Sequence, residues 1–162
     1  MGDAPLQSTL YTIGYQGAQI GGLICALNGA GIQWLIDVRE VPISRKPDFA
    51  KTRLAAHLQD TQISYRHVKN LGNPKAGRVA ARAGEVETYR VIFSRHMESP
   101  QAREAVQEIA HLAMTDAACL LCLERDPRHC HRSIVADHIA AVSGQPIEHL
   151  FAEPVSDQGR LF

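Results

Sequence analysis

The run Cys119-Leu120-Leu121-Cys122-Leu123 is apolar at every position, with no polar residue at either phase of a strand's two-residue period. A strand that alternates has one wetted face. A strand that does not alternate is covered on both, and such strands belong mostly to parallel sheets flanked by two layers of helix. The run gives way to a polar turn at Asp126-Pro127, and helical spacing resumes from Ser133, with Ile134, Val135, Ile139 and Val142 on one side and Gly144 as the stop. Between strand and helix stand Glu124, Arg125, Arg128, His129, Cys130, His131 and Arg132, more reactive and ionisable groups than a plain connection requires.

The rest of the chain alternates in the same way. Residues 9–14 and 32–38 read as strands, separated by a helical stripe of Leu23, Ile24 and Leu27. Residues 40–49 carry two prolines and read as a long loop, 51–59 as a helix, and 63–68 as a strand with Ile63, Tyr65 and His67 on one side. The glycine-rich, basic stretch 69–84 reads as a loop that contributes Lys69, Lys75, Arg78 and Arg82. Helices are predicted over 85–97 and 100–114, a last strand over 146–151, and a loose tail over 152–162. The expectation is a single α/β domain with a core over about 9–151. It has three layers, a mostly parallel sheet of about five strands, and helices on both faces.

Composition narrows the partners. Seventeen basic residues balance seventeen acidic ones in 162, so attraction to an anion has to be local rather than global. No apolar run is long enough to span a bilayer, and the N-terminal residues lack the basic start and apolar core of a signal peptide, which points to the cytoplasm and away from membranes. The four cysteines are accordingly expected as reduced thiols, with Cys25 and Cys119 in the core.

Open α/β sheets bind ligands outside the carboxyl ends of their strands. With the strands as read, Gly14-Tyr15, Asp37-Val38-Arg39, Lys69 and Cys122-Leu123-Glu124 emerge along one edge, and four chemistries suit what gathers there. For anion binding, residues 130–133 open a helix whose first amides are unpaired; Arg132, Arg39 and Arg45 supply guanidinium groups, and Tyr15 and His131 complete the contact set. For nucleophilic catalysis, Cys130 is the favoured thiolate, since the helix start, His131 and nearby arginines all lower its pKa. Cys122 to Arg128 has the Cys-x5-Arg spacing of phosphate-wrapping loops, but Glu124 and Asp126 inside it oppose a phosphate dianion. For acid–base work, Asp37 and Glu124 sit at strand ends, with ion pairs to Arg39, Arg45 or Arg132 as the plain alternative. For zinc, Cys122, Cys130 and His131 are the best ligand set; Cys119 falls on the opposite face of its strand from Cys122 and is excluded.

The segments TIGY (12–15), DVREVPISRKPDF (37–49), LG (71–72) and LLCLERDPRHCHR (120–132) resemble the bacterial and archaeal domain-of-unknown-function 488 family. The similarity runs from Tyr11 to about Phe151. It departs at Tyr15, where many relatives carry histidine. The resemblance implies an α/β domain with its site around the Cys-x-Glu and Cys-His-Arg segments, and it implies no particular reaction. The leading expectation is a small enzyme acting on an anionic substrate, phosphorylated, nucleotide or nucleic-acid-like. No cofactor and no metal enter it, and Cys130, Cys122, Glu124 and Asp37 are its catalytic candidates. The alternatives are a non-catalytic anion-sensing or interaction module with structural cysteines, and a zinc site at Cys122, Cys130 and His131. Nucleic acid is a lesser partner, supported by the basic stretch 69–84 and Tyr65.

Overall fold

The computed structural model describes residues 8–153. Five strands, Leu10–Gly14 (β1), Trp34–Asp37 (β2), Ser64–His67 (β3), Ala118–Cys122 (β4) and Ile147–Phe151 (β5), form one parallel sheet in the order β3-β2-β4-β1-β5. Six helices join them: Ile20–Gly29 (α1), Lys51–Gln59 (α2), Lys75–Arg82 (α3), Val86–Met97 (α4), Pro100–Thr115 (α5) and His131–Ser143 (α6). Every residue of β4 is buried, as its unbroken apolar run requires of a central strand.

Alternate side chains divide the core into two layers. Leu10, Ile36, Val38 and Leu120 pack against Phe93, Val106, Ile109, Val135 and Ile139 of α4, α5 and α6. Ile13, Leu35, Cys119 and Leu121 face the other way, onto Leu23 and Leu27 of α1 and Leu54 and Leu58 of α2. The three-layer α/β architecture read from the sequence is therefore the observed one. Among the described residues no helix is long and apolar enough to cross a membrane.

The topology positions the site. After β1 and β2 the chain turns to the α1/α2 layer, whereas after β4, which lies between them, it turns to the α6 layer. Neighbouring strands whose chains leave to opposite faces open a crevice at their carboxyl ends.

Several expectations are corrected. The stretch 69–84 is not a loop: a single tight turn, Lys69–Leu71, leads into α3, which buries Gly77 and Ala80, ends at Arg82 and is followed by Gly84 (φ 76°). Gly77 is a packing requirement there rather than a helix breaker, because a β-carbon would collide with the Asn73 side-chain oxygen. α6 starts at His131, two residues before Ser133, with Cys130 as its cap residue. β4 stops at Cys122, and Leu123 is half exposed (45%). Cys25 is exposed rather than in the core, while Cys119 is buried as expected. Ala152, assigned to the tail, is fully buried, and its carbonyl accepts Arg125 Nη1 at 2.5 Å. Residues 154–162 of that tail lie outside the described residues.

Candidate functional site

A cavity of about 500 Å³ opens at the crevice. Its walls come from the ends of β1 (Tyr15), β2 (Arg39, Glu40) and β4 (Cys122, Leu123, Glu124), the start of α6 (Cys130, His131) and the α3–α4 unit (Arg78, Arg82, Tyr89). Two glycines let the walls close up. A β-carbon at Gly14 would strike the Glu124 carbonyl, and one at Gly72 would strike the backbone of Glu40.

The β2 side of the cleft is a closed polar knot. Asp37 is fully buried, and its Oδ1 accepts Arg39 N (3.1 Å) and Nε (2.8 Å), while Oδ2 accepts Arg39 Nη2 (2.6 Å) and Tyr65 Oη (2.5 Å). Arg39 also donates through Nη1 to the Phe49 carbonyl (2.8 Å) and to Tyr15 Oη (3.3 Å). Burial works to lower the Arg39 pKa, but the hydrogen bonds and charge of Asp37 prevail and the guanidinium is held well above its ordinary value. Burial and the Asp37 charge push the Tyr65 hydroxyl up, so it stays protonated and donates. Tyr15 stacks on Phe49 with centroids 4.6 Å apart. With four hydrogen bonds received, Asp37 has no free lone pair aimed at the cleft and acts as a positioning group for Arg39 rather than as the catalytic acid or base anticipated from its strand-end position.

The β4 side is different. Arg132 is fully buried, donating through Nε to Thr12 Oγ1 (3.1 Å), through Nη2 to the Arg125 carbonyl (3.2 Å), and through Nη1 to the Glu124 carbonyl and to Cys122 Sγ (3.6 Å). It stitches the β4–α6 turn to β1 and has no face toward the cavity. The sulfurs of Cys122 and Cys130 are in bonding contact as a disulfide, across a Cα–Cα separation of 7.4 Å, so the expectation of four separate thiols is corrected at this pair. His131 follows immediately. Its Nε2 lies 2.7 Å from the Val38 carbonyl, a contact only an N–H satisfies, so its Nδ1 is the bare nitrogen, 3.8 Å from Cys130 Sγ. Burial of the ring, edge-on to Phe93 at 5.3 Å, lowers the His131 pKa to about 4 and keeps the imidazole neutral.

A model of the family described as "Domain of unknown function DUF488" matches residues 19–139. The chain belongs to the DUF488 family. No curated protein and no solved structure matches it.

In this DUF488 chain the crevice brings together six of the nine residues singled out from the sequence: Tyr15, Arg39, Cys122, Glu124, Cys130 and His131. Asp37 sits behind Arg39. Two are not part of the wall. Arg45 is exposed on the loop before Pro47, and Arg132 is spent inside the protein, so neither clamps a ligand in the cleft. The cations that do line the DUF488 cleft beside Arg39 are Arg78 and Arg82, both from the stretch taken for a loop. Their four-residue spacing, which puts both on one face of a helix, is the signal that would have found them.

Proposed function

We propose that this protein is a small cytoplasmic enzyme that turns over an anionic small molecule bound in the cleft at the carboxyl edge of the sheet. The observation that carries this reading is one cavity lined both by a sulfur–imidazole group (Cys122, Cys130, His131) and by guanidinium groups (Arg39, Arg78, Arg82). Its volume falls within the roughly 300–1,000 Å³ typical of small-molecule sites. Among the described residues Arg78 uses only Nη1, on Glu40 (2.8 Å) and the Asn73 carbonyl (2.8 Å), and Arg82 uses only Nε, on the Arg78 carbonyl (3.4 Å). Their other amines fit the paired oxygens of a phosphate or carboxylate. Val41 and Ile43, exposed at the rim, suit a substrate with an apolar portion. Glu124, half-buried in the same wall, is the carboxylate placed to exchange a proton with the bound molecule.

Calorimetric titration with a panel of phosphorylated and carboxylated small molecules tests the reading. At least one should bind, and replacing Arg78 and Arg82 together by alanine should weaken it by about tenfold or more, the loss of roughly 1.4 kcal/mol. Arg45→Ala, away from the cavity, should leave the affinity unchanged. A panel without a single binder would end the anionic-substrate reading. Binding without turnover would favour the sensing module instead.

A further inference from the structure

We propose that Cys122, Cys130 and His131 form a three-ligand site for a zinc-type divalent cation whose fourth position opens into the cleft. The inference rests on the reading above for what occupies that fourth position.

Geometry supplies the first argument. An imidazole nitrogen lies within 4.8 Å of two sulfurs that are in bonding contact with each other, so reduction of that bond by a thiol leaves three donors gathered at one point. Around a tetrahedral zinc, bonds of about 2.3 Å to sulfur and 2.0–2.1 Å to nitrogen set ligand atoms roughly 3.5–3.8 Å apart. The Nδ1 of His131 already stands 3.8 Å from Cys130 Sγ. Its other nitrogen is anchored on the Val38 carbonyl, the arrangement that fixes the tautomer of a metal-binding histidine and aims its lone pair.

Charge supplies the second. Arg132 is a fully buried cation whose hydrogen-bond acceptors are a threonine hydroxyl, two backbone carbonyls and the Cys122 sulfur. None is a carboxylate. Its Nη1 donates to that sulfur at 3.6 Å, and a guanidinium in this place favours the thiolate form of Cys122 over the thiol. A thiolate is the form that binds metal; a sulfur in a disulfide carries no charge. The backbone agrees, since a Cα–Cα distance of 7.4 Å lies beyond the usual disulfide range of about 4.4–6.8 Å, whereas two thiolates joined through a metal span farther.

Donor type and access complete the case. Two thiolates and an imidazole suit zinc and not the oxygen-seeking magnesium or calcium. Three protein ligands with an open position are the pattern of catalytic rather than structural zinc, and all three residues line the cavity, so a water or a substrate oxygen can take the fourth place.

The full chain, purified under reducing conditions without chelator, should carry close to one zinc per molecule by elemental analysis. Replacement by cobalt(II) should give a thiolate-to-cobalt charge-transfer absorption and the intense visible bands of a four-coordinate ion. Cys122→Ser, Cys130→Ser and His131→Gln should each lose or sharply reduce that absorption, and Cys25→Ser, at an exposed cysteine outside the cluster, should keep it. Thiol counting on the unsubstituted protein gives a measure independent of whether the variants fold: the cation should shield two cysteines from alkylation, and chelation should release them. Free alkylation of Cys122 and Cys130 in the folded, reduced protein without bound metal would overturn the proposal, as would a Cys122–Cys130 disulfide that re-forms in air with no zinc or cobalt uptake. Anion titration run alongside separates the two readings. Anion binding without metal leaves the cleft reading standing and removes the cation, whereas metal without anion binding does the reverse.

Discussion

Two buried arginines stand at the crevice, Arg39 in its wall and Arg132 behind it, and they are partnered in opposite ways. Arg39, 7% exposed, meets a carboxylate with three of its own donors, and that carboxylate takes a fourth hydrogen bond from Tyr65. Arg132, with no exposed surface, meets carbonyls, a hydroxyl and a sulfur. The first group is complete within the protein, so it holds shape. The second has no carboxylate hydrogen-bonded to it, and the sulfur it meets is also in the cleft wall. Burial outweighs the more distant charges of Asp126 and Glu124 on Arg132 and lowers its pKa to about 10, against the raised value of Arg39, though both remain cationic at neutral pH.

The contrast can be broken from the Arg39 side first. Asp37→Asn keeps the size of the side chain and removes its charge, leaving a buried guanidinium unpaired; the expected loss is about 3–5 kcal/mol in denaturant unfolding. A loss under about 1 kcal/mol would mean that Asp37 is not the counter-charge. Tyr65→Phe removes one hydrogen bond to the same carboxylate, and about 1.5–3 kcal/mol should go with it. On the other side, a double-mutant cycle of Cys122→Ser with Arg132→Met should show a coupling of about 1–2 kcal/mol, as for two groups in charge contact. Strict additivity would break the assignment of the thiolate to Arg132. The smallest effect belongs to an exposed control: Arg66 and Glu108 approach as closely (2.6 Å) as Arg39 and Asp37, but on the surface, and Glu108→Gln should cost at most about 1 kcal/mol. Equal losses at Glu108 and Asp37 would show that proximity, not burial, governs these pairs.

What could be read in advance follows from which forces act locally. The unbroken apolar run of β4 and the helical period of 51–59 are local patterns; the helix has those bounds, and the strand stops one residue before the run does. The convergence of Tyr15, Arg39, Cys122, Glu124, Cys130 and His131 followed from the rule that parallel strands present their carboxyl ends together. The misplaced residues depend on tertiary contacts. Gly77 counts as a breaker until Asn73 is known to pack against it. Arg132 reads as an anion clamp at a helix start until Thr12, from the far end of the chain, is found to take its Nε–H. No spacing distinguishes Arg39, which folds back on Asp37 two residues away, from Arg45, which projects into solvent. The sulfur contact between Cys122 and Cys130 likewise depends on how tightly the β4–α6 turn closes, which Gly14 permits by letting Glu124 pass against β1.

The state of the two cysteines beside Arg132 is best settled by X-ray absorption at the zinc edge of the protein as purified. The account predicts two sulfur neighbours at about 2.3 Å, one imidazole nitrogen at about 2.0–2.1 Å, and one further light atom in the open position. A zinc shell without sulfur, or a reduced and folded protein that holds no zinc, would contradict it.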